Sequence, residues 1–265
     1  MTAPADYFAQ LDAWKALRLK NLKAPNGWLN IIGRWWLTPG TVSLGSAPDN
    51  DLVLSAGPAQ LGTVTQDDHG ITFAAANGDA PVHVTPNKKH PPQFMVDGLL
   101  IEITTLNGEN AIRIRDTNSA EPDKLAAIDY FAPQPELRIV ADWVPYAQPK
   151  QLTVGTTKDI DTAVEATHKA VFTIGGQRYE LIATHGTPAS PQFVIKDLTS
   201  RDLTYPASRF VYGEEVTDKT IVLDFNKAIN PPCAFTEHAV CPLPPPENVL
   251  PIRIEAGEKR LRDHA

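Results

Sequence analysis

The strongest constraint on this chain is an alternation of apolar and polar residues with a period of two. It begins near residue 41 and recurs to about residue 225. The runs TVSLG, DLVLS, GITFAA, PVHVT, QFMV, LLIEIT and AIRIR carry it through the first half. LRIVADWV, QLTV, AVFTI, QRYELIA, QFVIKD, RFVYG and TIVLDF carry it through the second. Extended backbone puts successive side chains on opposite faces, so each run reads as a short strand with one face buried. Asp97-Gly98, Asn107-Gly108 and Gly175-Gly176 separate consecutive runs, and these dipeptides tolerate the positive φ angles of two-residue hairpin turns. No run is followed by a helix long enough for a β-α-β crossover, which argues against a doubly wound parallel sheet. The expected fold class is mainly β, with two antiparallel β units: a sandwich-like first part and a barrel-like second part. The alternation lapses over residues 116–136, so the units are expected to be residues 1–135 and 136–265.

One long helix is expected, over residues 4–24. Tyr7, Leu11, Trp14, Leu17 and Leu22 recur at helical spacing, while Lys15, Arg18, Lys20 and Lys23 fall mostly elsewhere. The bases cluster late, where they suit the negative end of the helix dipole. Ala24-Pro25-Asn26-Gly27 stops the helix, and Trp28, Trp35 and Trp36 follow in a segment expected to lie against the first β layer.

Charge narrows the partners. With 24 Lys and Arg against 31 Asp and Glu, the formal charge is −7, and no basic run exceeds two residues. A surface for phosphate backbones is therefore not expected, and nucleic acid is excluded as a partner. The start lacks the basic and apolar regions of a secretory signal, and no apolar stretch could span a bilayer. With two cysteines only, the expected location is cytoplasmic and the thiols are expected to be free.

Proline has an address in this chain. Of 24 prolines, seven lie within the 21 residues from Pro231 to Pro251. Local preference there predicts a short helix, with Asn230 as its N-cap, Pro231 at its first position and Pro242 ending it. Pro244-Pro245-Pro246 predicts an extended polyproline segment. A long, rigid, non-repetitive stretch near the end of a unit reads as a cover packed over a sheet edge or cavity.

That segment carries a family resemblance. Asp224-Phe225-Asn226, Asn230-Pro231-Pro232-Cys233-Ala234-Phe235, Cys241 through Asn248 and Ala256-Gly257-Glu258 resemble the C-terminal signature of the bacterial and archaeal family known as domain of unknown function 1684. Trp14 and Arg18, Gly27-Trp28-Leu29, Trp36-Leu37, Asn50-Asp51, the run from Ile112 to Asp116, the run from Lys196 to Ser200, and Tyr205 with Arg209 match in order upstream. Arg201 stands where the family more often has Gly, and His238 where it often has an aromatic residue. The resemblance implies a family and no activity. Separately, Leu44-Gly45-Ser46 and Asn50 through Leu54 are similar to the opening of forkhead-associated domains. The arginine and the later Ser-x-x-His of phosphothreonine recognition are missing here.

The candidate site follows from density. Arg209, Tyr205, Asp197, Asn226, Asn230, Glu247 and Asn248 are the expected ligand-binding residues, under the C-terminal segment at the mouth of the second unit. The expected function is binding of a small molecule or peptide there. One alternative is a hydrolase with Asp224 or Glu258 as general base. Another is a structural or partner-interaction protein whose signature fastens the chain terminus. The elbow, zincin and phosphate-loop motifs are all missing, so enzyme status stays open. Cys233, His238 and Cys241 are potential soft ligands, but C-x4-H-x2-C matches no common zinc spacing, and no metal or cofactor is expected. Oligomeric state is left open.

Overall fold

Two separate apolar clusters organise the chain in the computed structural model, which describes residues 5–261. The chain divides into a first β unit, Lys20–Ala126, and a second that joins Ala127 onward with the residues up to Leu19. The division thus falls nine residues before the expected boundary at 135, and most of the N-terminal helix groups with the second unit instead of the first. The protein is mainly β.

The helix α1 (Tyr7–Lys23) forms as expected, with Lys20 and Lys23 in its last turn. Tyr7 and Leu11 are buried, but Leu17 is 54% exposed. At about 100° per residue, Leu17 lies roughly 80° off the Tyr7–Leu11 face, whereas Arg18 returns to within about 20° of it. Arg18 is therefore the inward-facing residue of the two and Leu17 the outward-facing one, opposite to the expectation.

In the first unit, nine strands follow: β1 (Ile31–Trp36), β2 (Gly40–Gly45), β3 (Leu52–Val53), β4 (Gly62–Asp67), β5 (Gly70–Ala75), β6 (Val82–Val84), β7 (Gln93–Val96), β8 (Leu99–Leu106) and β9 (Glu109–Asp116). They make a four-stranded sheet, β1-β9-β8-β7, and a five-stranded sheet, β3-β2-β4-β5-β6. Leu44, Val64 and Phe73 of one sheet share a cluster with Ile101, Ile103, Ile112 and Ile114 of the other, which is the sandwich arrangement. Both central turn residues have positive φ in each expected hairpin: Asp97 and Gly98 (47°, 80°), Asn107 and Gly108 (52°, 84°), Gly175 and Gly176 (57°, 80°). One buried carboxylate, Glu102, accepts from Arg113 Nε at 2.6 Å and Arg115 Nη1 at 2.7 Å.

The second unit is a single sheet built from β10 (Arg138–Val154), β11 (Thr162–Ile174), β12 (Gln177–Ile182), β13 (His185–Thr187), β14 (Ser190–Ile195), β15 (Arg209–Glu214) and β16 (Thr220–Asp224). Its order is β12-β11-β10-β16-β15-β14-β13, antiparallel throughout. The barrel-like expectation is corrected here, because the sheet does not close by strand pairing. The side chain of Asn248 spans the gap: its Oδ1 accepts from Ile182 N at 2.7 Å, and its Nδ2 donates to Ile182 O and Val194 O at 2.9 Å. A side-chain amide carries the same donor and acceptor as a peptide, so one asparagine substitutes for a strand link.

Strand β10 is interrupted at its centre. Pro145 is opposite His168 and Lys150 is opposite Ala166, so four extra-long bulge residues, 146–149, face Thr167 alone. Proline has no N–H to give the ladder, and Pro145 and Pro149 flank or occupy this bulge.

The helix expected after Asn230 does not form. The structure has only a 3-10 turn at Pro232–Ala234, followed by irregular backbone. Asn230 is not a cap: its Oδ1 accepts no hydrogen bond from the turn, while its Nδ2 donates to Lys259 O at 2.8 Å. Pro245 adopts the extended geometry expected of the proline run (φ −63°, ψ 158°).

Candidate functional site

The signature residues come together as adjoining polar nodes along the C-terminal segment. At the first, Asp224 ends β16 and accepts from the Tyr7 hydroxyl at 3.0 Å, from Asn226 N at 3.1 Å and from Asn226 Nδ2 at 3.1 Å. Asn226 in turn pairs with the Gln134 backbone like a strand residue, accepting from its N–H and donating to its carbonyl, both at 2.8 Å. Burial, reinforced by the Asp224 charge, raises the Tyr7 pKa, which keeps the phenol a donor.

Glu258 makes the second node. It accepts from Asn230 N at 2.6 Å, Arg18 Nε at 2.9 Å and the Tyr130 hydroxyl at 3.4 Å. Arg18 Nη2 also donates to Asn230 O at 3.1 Å. Gly257 precedes this carboxylate at φ +80°, and a Cβ there would stand 2.4 Å from Ala228 O. Only glycine lets the two segments approach so closely.

At the third node, Arg209 on β15 donates through Nη2 to Asp197 Oδ1 at 3.1 Å and to Ile254 O at 3.0 Å, and through Nη1 to Ala256 O. Asp197 also accepts from Thr199 Oγ1 at 2.8 Å and from Ile254 N at 2.6 Å. Asp197, Arg209, Asp224, Asn226, Asn230, Asn248 and Glu258 are all at most 3% exposed. Here Arg209 Nε, Ser208 Oγ and Asn230 Oδ1 are the buried side-chain polar atoms without a protein partner among the described residues. Every carboxylate oxygen in these nodes is hydrogen-bonded to the chain itself.

The remaining expected residues lie apart. Glu247 is exposed and pairs with Lys150. Tyr205 donates to Cys233 O at 3.0 Å. Cys233 and Cys241 are free thiols in contact with each other through Cys233 N and Cys241 Sγ at 3.2 Å. His238 faces Glu237 at 4.0 Å. Among the described residues no group of three or more His, Cys, Asp or Glu is placed to hold a metal ion. No helix among them is long and apolar enough to cross a membrane.

Open space is found elsewhere in the second unit, between β11 and the β13–β14 hairpin. A cavity of about 420 Å³ is lined by Trp143, Glu165, Thr167, His168, Thr184, His185 and Thr187 with neighbouring Gly and Pro residues. The indole of Trp143 stacks on the His168 ring (centroids 4.7 Å apart, planes 10° apart) and meets Phe193 edge-on at 6.0 Å. Each imidazole is braced by the threonine before it: His168 Nδ1 to Thr167 Oγ1 and His185 Nδ1 to Thr184 Oγ1, both 2.9 Å. Glu165 accepts from Gln151 at 2.8 Å. None of these residues is among the expected ones. The signal in the sequence is the tripeptide Ala-Thr-His, present at 166–168 on β11 beside the bulged β10, and again at 183–185 between β12 and the start of β13.

The fold and these sites define a mainly β protein with buried, internally bonded polar nodes along its C-terminal segment and a separate, side-chain-lined cavity. A family model described as "Protein of unknown function (DUF1684)" matches residues 123–259, and the chain belongs to that family. The match spans the whole signature and all the residues that line the cavity. A search of curated proteins finds no match. Among solved structures, the chain is similar to an uncharacterized protein of Haloarcula marismortui determined by solution NMR, at 27% identity. That similarity covers 52% of this chain and 79% of that one, with a TM-score of 0.43.

Proposed function

We propose that this protein binds a small polar molecule in the cavity between β11 and the β13–β14 hairpin, while the signature serves as the fastening that holds the unit's open sheet together. The observation that carries the reading is the paired, threonine-braced imidazoles of His168 and His185 at one cavity. Bracing at Nδ1 sets the orientation of each ring at the cavity wall. The volume lies within the ordinary range for small-molecule sites, roughly 300–1,000 Å³. The Trp143 face and the Pro188 and Pro191 rings supply the apolar wall, and Thr184, Thr187 and Glu165 the polar contacts.

The test is a screen of small polar heterocycles and hydroxy acids against the full chain, read from imidazole and backbone NMR shifts. The expected result is saturable shifts confined to the cavity strands, lost in His185→Ala. Binders that map only to other surfaces, or a panel with none, would overturn the reading.

A further inference from the structure

We propose that Cys233 and Cys241 form a two-cysteine redox site that a hydroperoxide converts to an intramolecular disulfide. The pair is asymmetric in access: Cys233 is half-buried, whereas Cys241 is 2% exposed. This is the division needed between a sulfur that meets an oxidant and one that resolves the product. Both ends of the intervening loop are pinned. Tyr205 holds the Cys233 carbonyl at 3.0 Å, while Thr157 bonds Cys241 twice, accepting from its N–H at 3.2 Å and donating its own N–H to the Cys241 carbonyl at 2.9 Å. The Cys241 sulfur accepts from the Cys233 backbone N–H at 3.2 Å, and the two thiols also interact side chain to side chain.

The local chemistry favours attack by Cys233. A hydrogen bond from the Cys241 thiol, which outweighs burial, holds the Cys233 thiol below its ordinary value. The same contact, together with burial, pushes the Cys241 thiol up and keeps it protonated as the donor. Tyr205 and Cys241 are the titratable groups facing the Cys233 sulfur.

The reaction balances as follows. The Cys233 thiolate attacks one oxygen of ROOH, the O–O bond breaks, and RO⁻ leaves to take up a proton as ROH. The resulting sulfenic acid, Cys233–SOH, is attacked by the Cys241 sulfur. An S–S bond forms, the S–O bond breaks, and the departing hydroxide takes the Cys241 proton to leave as water. Two thiols and one hydroperoxide thus give one disulfide, one alcohol and one water. A dithiol reductant reverses the oxidation.

The experiment uses the reduced full chain and hydrogen peroxide, followed by thiol titration and intact mass. Both thiols are expected to disappear together with loss of two hydrogens in mass, without a dimer, and to return with dithiothreitol. In Cys241→Ser, dimedone should label Cys233, whereas Cys233→Ser should leave Cys241 unlabelled. Retention of both thiols under conditions that oxidise free cysteine would overturn the proposal. So would exclusive intermolecular dimers, or labelling of Cys241. The wild-type mass measurement depends on no variant and decides the matter even if a serine variant unfolds.

Discussion

The signature nodes and the cavity are built in the same β unit with opposite use of polar groups. In the nodes and at Asn248, seven buried polar or charged side chains bond mainly to the chain's own backbone and to one another, across sequence separations as large as 240 residues for Arg18 and Glu258. In the cavity, two imidazoles are fixed by their adjacent threonines and line space that the chain does not fill. A concentration of polar motif residues therefore marks where the backbone needs partners. It does not by itself mark a ligand. Buried donors and acceptors left unpaired are costly, and the Pro-rich segment, which pairs with the rest of the unit at isolated bridges such as Pro242 to Thr156 and Val249 to Lys196, is tied down by side chains as well.

The sharpest way to break this contrast is Arg209→Met. It removes one partner of a buried pair, leaving Asp197 uncompensated, and is expected to cost about 3–5 kcal/mol in urea unfolding. A loss below about 1 kcal/mol would mean that the node is not a fastening. Asn248→Ala should come next, on the order of 3 kcal/mol, because it strands the Ile182 N–H and two carbonyls at the sheet gap. Hydrogen exchange should localise the damage to β12 and β14. Histidine replacement at the cavity tests the other side: His185→Ala should change stability by no more than about 1 kcal/mol while abolishing the ligand-induced shifts. A large melting-temperature drop in that variant would make the cavity wall structural as well.

The smallest effect belongs to Glu247, next to Asn248 in sequence and exposed in space. Glu247→Ala should cost at most about 0.5 kcal/mol at neutral pH, as exposed pairs do. The Lys150 side chain holds the Glu247 carboxyl below its ordinary value of 4.5, so its contribution is present above that pH. It is lost as pH falls through the depressed value. The difference between variant and wild type should vanish in acid; a difference that grows there would reverse the assignment.

Much of the scaffold was legible because its causes are local. Asp97-Gly98, Asn107-Gly108 and Gly175-Gly176 place positive φ where a two-residue turn needs it, and the alternating runs beside them became β7, β8, β9, β11 and β12. The helix was legible as an element, but its buried face was read one residue out of phase at Leu17 and Arg18. Apolarity pointed to Leu17. Burial of Arg18 is worthwhile only because Glu258 waits for it far along the chain. The C-terminal helix expected at Asn230 failed for a similar reason: a local capping preference of roughly 1 kcal/mol yields to bonds with Glu258 and Lys259 that a local reading does not contain.

By itself, the sequence determined the class of fold, the hairpins, the N-terminal helix and the membership of the C-terminal signature, since period, turn chemistry and motif spacing act between near neighbours. Only the tertiary structure decided that the second sheet stays open and is linked by one asparagine, and that the signature's carboxylates face inward onto the chain. It likewise decided that the unfilled space lies beside a bulged strand and two Ala-Thr-His tripeptides. Those outcomes depend on which distant groups satisfy each buried donor and acceptor, and that pairing exists only once the chain has folded.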